Sequence, residues 1–137
     1  RLSLELYEDT FVGTADGAAQ FVLDVDRPNV GVNPDVGNLV RLHRPVPTWQ
    51  EMHTTLLPHA NFWHMKNYVR SFDPATGAYF THPAAMESGI IDYRTVIQQA
   101  LNLGYDGVFM MEHYGGDWLG TQARNARFVR GVLESVL

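Results

Sequence analysis

Cysteine is absent from the sequence, and so are two other features that would point to particular kinds of function. Without cysteine, disulfides, zinc–thiolate centres and thiol nucleophiles are excluded, which fits a reducing compartment and leads us to expect a cytoplasmic protein. No apolar run approaches the roughly 18 residues that a membrane-spanning helix needs. Neither G-x-G-x-x-G nor G-x-x-x-x-G-K-[ST] occurs, so no glycine-rich phosphate loop is indicated.

Positive charge is also scarce. The sequence has ten Lys and Arg residues and 15 Asp and Glu residues, which gives a net charge of -5, and it contains no basic tract. Such a chain cannot neutralise a run of phosphates. We therefore expect neither nucleic acid nor a membrane surface as a partner.

The sequence does contain a repeated alternation of strand and helix patterns. With 137 residues and 45% hydrophobic residues, it has the length and apolar content of one domain, spanning 1–137. Four times, a short β-rich run is followed by a polar turn and a segment with helical periodicity. The predicted strands are 2–7, 29–33, 61–65 and 108–111. The predicted helices are 14–26, from about 48 to Pro58, 92–103, and from about 119 onward.

The connection after the third strand is unusually long. Residues 71–91 contain Asp73-Pro74, Thr76-Gly77, His82-Pro83 and Ser88-Gly89, which are turn or helix-breaking pairs. An irregular loop of this length is uncommon in a compact domain and often carries function.

Parallel strands joined by helices form either an open doubly wound sheet or a closed barrel. The missing phosphate loop favours the barrel. A full (β/α)8 TIM barrel needs about 250 residues, so four βα units are half of one. Because the sequence starts at Arg1 without Met, we expect the C-terminal half, strands five to eight. The alternative, a self-sufficient four-unit sandwich, is less favoured because it would expose two strand edges and an apolar face.

Each predicted strand ends in one ionisable residue, namely Glu5, Asp35, His64 and Glu112. In barrel enzymes the C-terminal strand ends converge on the active site. Three carboxylates and an imidazole at one point require a cation, and oxygen-rich ligand sets suit Mn²⁺, Mg²⁺ or Co²⁺, with Zn²⁺ as a further candidate. Taken singly, Asp35 reads as a turn residue and His64 as a core histidine. One such residue per strand, all at the same end, predicts a divalent metal site.

Other histidines and one tryptophan have simpler interpretations. His43, His53 and His59 look like loop or helix-surface residues, and Trp63 is expected to pack outward against helices. Trp118 is the better candidate for lining a sugar site, and Lys66 shares the inward parity of His64. Lys66 could hold a phosphate or hydroxyl, or simply be solvated at the mouth.

The segments "LSLELYED", "VGVNPDVGNL", "FWHMKNYVR" and "GYDGVFMMEHYGGD" resemble strands five to eight of the xylose isomerase-like TIM barrels, the sugar phosphate isomerase/epimerase group. The resemblance covers essentially the whole chain in order. It implies that Glu5, Asp35, His64 and Glu112 bind one divalent metal, and that Glu5 and Glu112 are the catalytic acid and base. It also implies that Arg70 contacts substrate oxygens near the reacting carbon.

These residue types suit α-proton abstraction through a metal-stabilised enediolate, with carboxylates moving the proton and Arg70 facing the developing oxyanion. We therefore expect a metal-dependent sugar or sugar phosphate isomerase or epimerase whose partner is a small sugar or polyol. The predicted substrate-binding residues are Arg70, Asn38, Lys66 and Trp118. A homo-oligomer, or association with the N-terminal half, is expected.

Two positions depart from the family pattern. Asn38 stands where many relatives have His, and an amide cannot shuttle a proton. Asn67 stands where many have Asp in an "H-x-K-D" run. An inosose-type dehydratase or a non-catalytic carbohydrate-binding barrel therefore stays open. Endonuclease IV, a zinc-dependent barrel, is disfavoured because further metal-binding His and Asp residues are missing.

Overall fold

Four parallel strands and the helices that connect them make up the body of the computed structural model, which describes residues 1–136. In chain order the elements are strand β1 (Leu2–Glu5), helix α1 (Ala15–Val25), β2 (Val30–Asn33), α2 (Gly37–Val40), α3 (Trp49–Leu56), β3 (Phe62–Met65), β4 (Asn67–Asp73), β5 (Ala78–Ala84), α4 (Tyr93–Asn102), β6 (Val108–Met111) and α5 (Trp118–Val136). Strand β1 pairs with β2 and β3 with β6, both in parallel. A bridge between Val32 and Ala60 joins the two pairs. The parallel strands thus follow one another in chain order, as the sequence predicts.

Polar side chains fix where the helices begin. Thr14 and Asp92 accept hydrogen bonds from backbone N–H groups in the first turns of α1 and α4. Thr48 does the same for α3, and Glu51 reciprocates by accepting from the Thr48 N–H. Such caps satisfy backbone donors that have no partner within the helix. Gly104, with φ of 81°, follows the end of α4 as a C-terminal glycine.

The core lies between the outward face of the parallel strands and the helices. Trp63 is 0% exposed and packs its ring against His53, Tyr93, Tyr105 and Phe109. Its predicted outward orientation is confirmed. The helices contribute mainly aliphatic side chains to this layer, including Ala18, Met52, Leu56, Val96, Ile97, Ala100, Val129 and Val132.

His53 was predicted to lie on a helix surface, and that prediction is wrong. The side chain is 0% exposed. It lies one helical turn after Trp49, on the face of α3 that packs against Trp63, so tertiary packing takes it inward despite its polarity.

The long connection after β3 is not an irregular loop. Strands β4 and β5 pair along their whole length as an antiparallel hairpin. Its tip is a turn in which the Asp73 carboxylate accepts hydrogen bonds from the Ala75 N–H and the Thr76 hydroxyl, and Gly77 adopts φ of 67°. The pairs Asp73-Pro74 and Thr76-Gly77 therefore lie at the tip, His82-Pro83 lies within β5, and Ser88-Gly89 ends a short 3-10 helix after the hairpin.

The inward face of the parallel strands is partly open. Val108 and Met110 are 54% and 45% exposed, whereas Phe109 and Met111, on the other face of β6, pack against the core. Within residues 1–136, no strand pairs with the outer edge of β1 or β6. None of the helices in this range has the length and apolarity to cross a bilayer.

Candidate metal centre

The C-terminal ends of the four parallel strands bring together the residues that the sequence singles out. Glu5 ends β1, Asp35 lies two residues beyond β2, His64 lies within β3, and Glu112 follows β6 directly. Each offers one ligand atom, and these atoms all lie within 4.8 Å of one another. We call this group the four-residue cage.

Asp35 is the most deeply buried residue of the cage. It is 0% exposed, and its Oδ1 has no hydrogen-bond partner within the part of the chain that the structure describes. Its Oδ2 lies 4.0 Å from His64 Nδ1, which is itself 3.4 Å from Glu5 Oε1. Burial raises the pKa of Asp35 well above its usual value; Lys66 opposes that rise, and the charges of Glu112 and Glu5 add to it. A buried acceptor without a donor is costly, and a cation relieves that cost, so the donor set fits a divalent metal.

Lys66 places its ammonium against two members of the cage. Its Nζ lies 2.6 Å from Glu112 Oε2 and 2.9 Å from Asp35 Oδ2, and the residue is 2% exposed. Burial alone would lower the pKa of Lys66, but the two carboxylates outweigh it and the pKa is raised. Lys66 is therefore not a solvated residue of the mouth. Its predicted contact with substrate stays a prediction.

Tyr114, which sequence reasoning missed, donates its hydroxyl proton to Glu112 Oε1. This hydrogen bond raises the pKa of Tyr114 to about 12. Burial tends to raise the pKa of Glu112, but the hydrogen bonds from Lys66 and Tyr114 lower it overall. Tyr114 lies two residues after Glu112, and side chains two apart in an extended chain lie on the same side. This spacing could have placed Tyr114 beside Glu112 from the sequence.

Tyr68 is a second missed residue near the site. It is buried, which raises its pKa, and the charges of Lys66, Asp35 and Glu112 all act on its phenol. It follows Lys66 by two residues, so the same parity could have identified it.

Asn38, a predicted substrate-binding residue, hydrogen-bonds to Glu5 of the cage. It is 1% exposed, and its Nδ2 donates to the Leu6 carbonyl at 2.8 Å and to Glu5 Oε1 at 3.3 Å. The amide therefore contacts one of the predicted acid/base carboxylates directly. A substrate contact by Asn38 stays a prediction.

The other two predicted substrate contacts lie outside the cage. One Nη of Arg70 donates to the carbonyls of Val40 and Leu42, at 3.0 Å each, which ties the hairpin to the C-terminal end of α2 and the residues just after it. Trp118 is the first residue of α5 and is 59% exposed. Their roles toward a substrate stay predictions.

Comparison with known proteins identifies the scaffold. The model of the family described as xylose isomerase-like TIM barrel matches residues 1–132. The chain belongs to this family. The resemblance seen in the sequence is thereby confirmed, and the fold is that of a TIM barrel. No curated protein matches the chain.

Two crystal structures of xylose isomerase-like proteins show the same fold. A xylose isomerase-like TIM barrel protein from Mycobacterium smegmatis, in complex with magnesium, is 55% identical with a TM-score of 0.93; the match covers 100% of this chain and 45% of that protein. A xylose isomerase domain protein from Planctomyces limnophilus is 19% identical with a TM-score of 0.70, covering 98% of this chain and 47% of that protein, and it supports the fold alone. The chain thus spans less than half the length of either relative.

Proposed function

We propose that this protein is a divalent-metal-dependent isomerase or epimerase of a small sugar, sugar phosphate or related polyol. The observation that carries the proposal is the four-residue cage, whose buried Asp35 Oδ1 lacks a hydrogen-bond donor. Three carboxylates and an imidazole suit Mg²⁺, Mn²⁺ or Co²⁺, with Zn²⁺ as a further candidate. The magnesium bound by the relative from Mycobacterium smegmatis supports a divalent ion in this family.

In this proposal Glu5, Asp35, His64 and Glu112 would hold the ion. A bound ion would supply Lewis-acid stabilisation of the negative charge that develops on the substrate oxygens when the α-proton is removed. Glu5 and Glu112 have side chains 38% and 24% exposed, so substrate can reach them, whereas Asp35 is fully buried. Exposure therefore favours Glu5 and Glu112 as the acid and base.

The hydrogen bonds around Glu112 fix the orientation of a carboxylate that can accept a proton. Although burial opposes them, they also lower its pKa, which keeps the group ionised but makes it a weaker base. Lys66 and Tyr114 each bind a different oxygen of this carboxylate, so its orientation is fixed from two sides. General acid–base catalysis of this kind typically contributes about 10²- to 10⁴-fold in rate.

The decisive substitution is Glu112→Gln, which keeps the size of the side chain but removes its charge and basicity. We expect turnover on a panel of ketoses to fall by about 10²-fold or more, with reduced metal content by elemental analysis. Glu134→Gln on the exposed face of α5 is the matched control and should change neither. Unchanged metal content and turnover in Glu112→Gln would show that the assignment is wrong.

Product analysis by NMR in D₂O separates the reaction types. An isomerase or epimerase incorporates deuterium at carbon without losing water, whereas a dehydratase yields a product that has lost water. Sugar binding by calorimetry with no exchange at carbon would instead favour a non-catalytic carbohydrate-binding barrel.

We further propose that these strands are five to eight of a complete barrel, acting in the cytoplasm. Support comes from the edges of β1 and β6 that pair with no strand within residues 1–136, and from the exposed Val108 and Met110, which four further strands would cover. The whole-barrel length of the two relatives, about twice that of this chain, supports the same proposal.

A further inference from the structure

The Lys66 ammonium lies beside the four-residue cage rather than in solvent. It contacts Asp35 Oδ2 and Glu112 Oε2, at 2.9 and 2.6 Å. Asp35 Oδ2 is also the oxygen found 4.0 Å from His64 Nδ1. The Lys66 ammonium therefore contacts the same Asp35 oxygen, Oδ2, that lies near His64.

The fold makes specific room for Lys66 in this position. Tyr93, which is fully buried, donates its hydroxyl proton to the Lys66 carbonyl at 2.8 Å. A Cβ atom on Gly37 would lie only 2.6 Å from Lys66 Cγ, so the side-chain stem fits because that residue is glycine. The ring of Tyr114 lies over the ammonium, with Nζ 5.0 Å from its centroid. Contacts at the backbone, the stem and the head group all hold the ammonium against the cage.

The charges explain what this position does. Glu5, Asp35 and Glu112 carry three negative charges when ionised, and Lys66 offsets one of them. The remainder is two negative charges, which one divalent ion balances. Like charges in a poorly solvated site repel strongly, so the ammonium also opposes the entry of that ion.

We propose that Lys66 is a built-in counter-cation that weakens the affinity of the cage for divalent ions. Lys66 stabilises the metal-free cage and thereby keeps the bound ion exchangeable. This inference rests on the proposed metal site, but it concerns a different residue and makes a separate prediction. A lysine that only positions Asp35 and Glu112 would have the opposite effect, because its removal would loosen the ligands and weaken binding.

The test is calorimetric titration of metal-stripped protein with Mn²⁺, using wild type and Lys66→Met. Methionine keeps the length of the stem and removes the charge. We expect Lys66→Met to bind Mn²⁺ at least about ten-fold more tightly. Arg124→Met is the matched control, since it removes one positive charge from a partly exposed residue of α5, and its affinity should stay within about two-fold of wild type.

Thermal unfolding provides a second, independent measurement on the same two proteins. Metal-stripped Lys66→Met should melt at a lower temperature than stripped wild type, because three carboxylates then lack their cation. Saturating Mn²⁺ should raise its melting temperature by more than it raises that of wild type. An equal or smaller rise would overturn the inference.

The possible results separate this inference from the proposed function. If wild type binds Mn²⁺ and Lys66→Met binds equally or more weakly, the counter-cation role is overturned while the metal site stands. If only Lys66→Met binds, the inference is supported and the metal-dependent function is overturned. If neither binds, both are overturned.

Discussion

Asn67 uses both ends of its amide to hold the segment after the hairpin. Its Nδ2 donates to the carbonyls of Met86 and Ile91, at 2.9 and 2.8 Å, while its Oδ1 accepts from the Ile91 N–H. The residue is 1% exposed. A carboxylate could accept but could not donate, so Asp would place its charge against two carbonyl oxygens.

We therefore expect Asn67→Asp to lower the free energy of unfolding by about 3 kcal/mol, because two buried acceptors would lose their donors and a charge would be buried. Urea unfolding of the two proteins measures this difference. Asn102→Asp, at the exposed end of α4, makes the same chemical change and should cost only a few tenths of a kcal/mol. A loss in Asn67→Asp no larger than in this control would contradict the explanation.

The grouping of the four candidate ligands was predictable from the sequence as a set, because parity and strand ends place all four at one point, although no single residue among them predicts it. The role of Lys66 was not. The alternation along the strand predicts an inward-facing Lys66, but its long side chain could equally have reached solvent. Its position in the structure depends on the space beside Gly37. Such space is a property of tertiary packing between segments that lie far apart in sequence.

Among the elements, α3 shows how a polar residue can stabilise a helix–strand contact. His53 is fully buried against Trp63, with its Nδ1 2.7 Å from the Trp49 carbonyl and its Nε2 without a partner in residues 1–136. Burial lowers the pKa of His53 to about 4, with the hydrogen bond to Trp49 opposing the change. The folded protein therefore holds this imidazole neutral across the physiological range.

The lowered pKa of His53 predicts acid sensitivity. The unfolded chain takes up a proton below about pH 6.5, whereas the folded protein resists it down to about pH 4, so stability is lost as pH falls through that window. At pH 5 the loss is about 2 kcal/mol relative to pH 7.5. His53→Phe should lack this component, as urea unfolding at both pH values would show.

The control for that experiment is His82→Asn, which removes an exposed histidine of the hairpin. It should keep the pH dependence of wild type. If His53→Phe loses as much stability between pH 7.5 and pH 5 as wild type does, then His53 is not the group responsible.

The βα units could be predicted at element scale because each carries a continuous local pattern. Strand β6 begins and ends where the alternation predicts, and α1 and α3 begin within one residue of their predicted starts at 14 and about 48. The hairpin of β4 and β5 could not be predicted in the same way. Its strands are partly exposed and contain Pro83, so neither segment alone has a clear strand pattern. The two segments form strands because they pair with each other.

For the whole molecule, the open inward face is the feature with the clearest physical consequence. Val108 and Met110 present apolar surface next to the edge of β6 that has no partner strand in the described residues 1–136. Exposed strand edges with apolar side chains tend to pair with other chains. A protein limited to residues 1–137 should therefore self-associate.

Light scattering after size-exclusion chromatography would measure this association. Met110→Lys should reduce the average mass by placing a charge on the open face. Leu103→Lys, an equally exposed position beyond the end of α4, should leave the mass unchanged. A monodisperse, active monomer of residues 1–137 would contradict the half-barrel proposal.

The spacing of the four cage residues also has a consequence for the order of folding. Neighbouring candidate ligands are separated by 30, 29 and 48 residues, and each lies in or just after a different strand. The cage therefore does not exist in any local segment, and it forms only after the three intervening loops have closed. In a refolding experiment, uptake of metal would mark the last stage of assembly, later than the signals of helix formation.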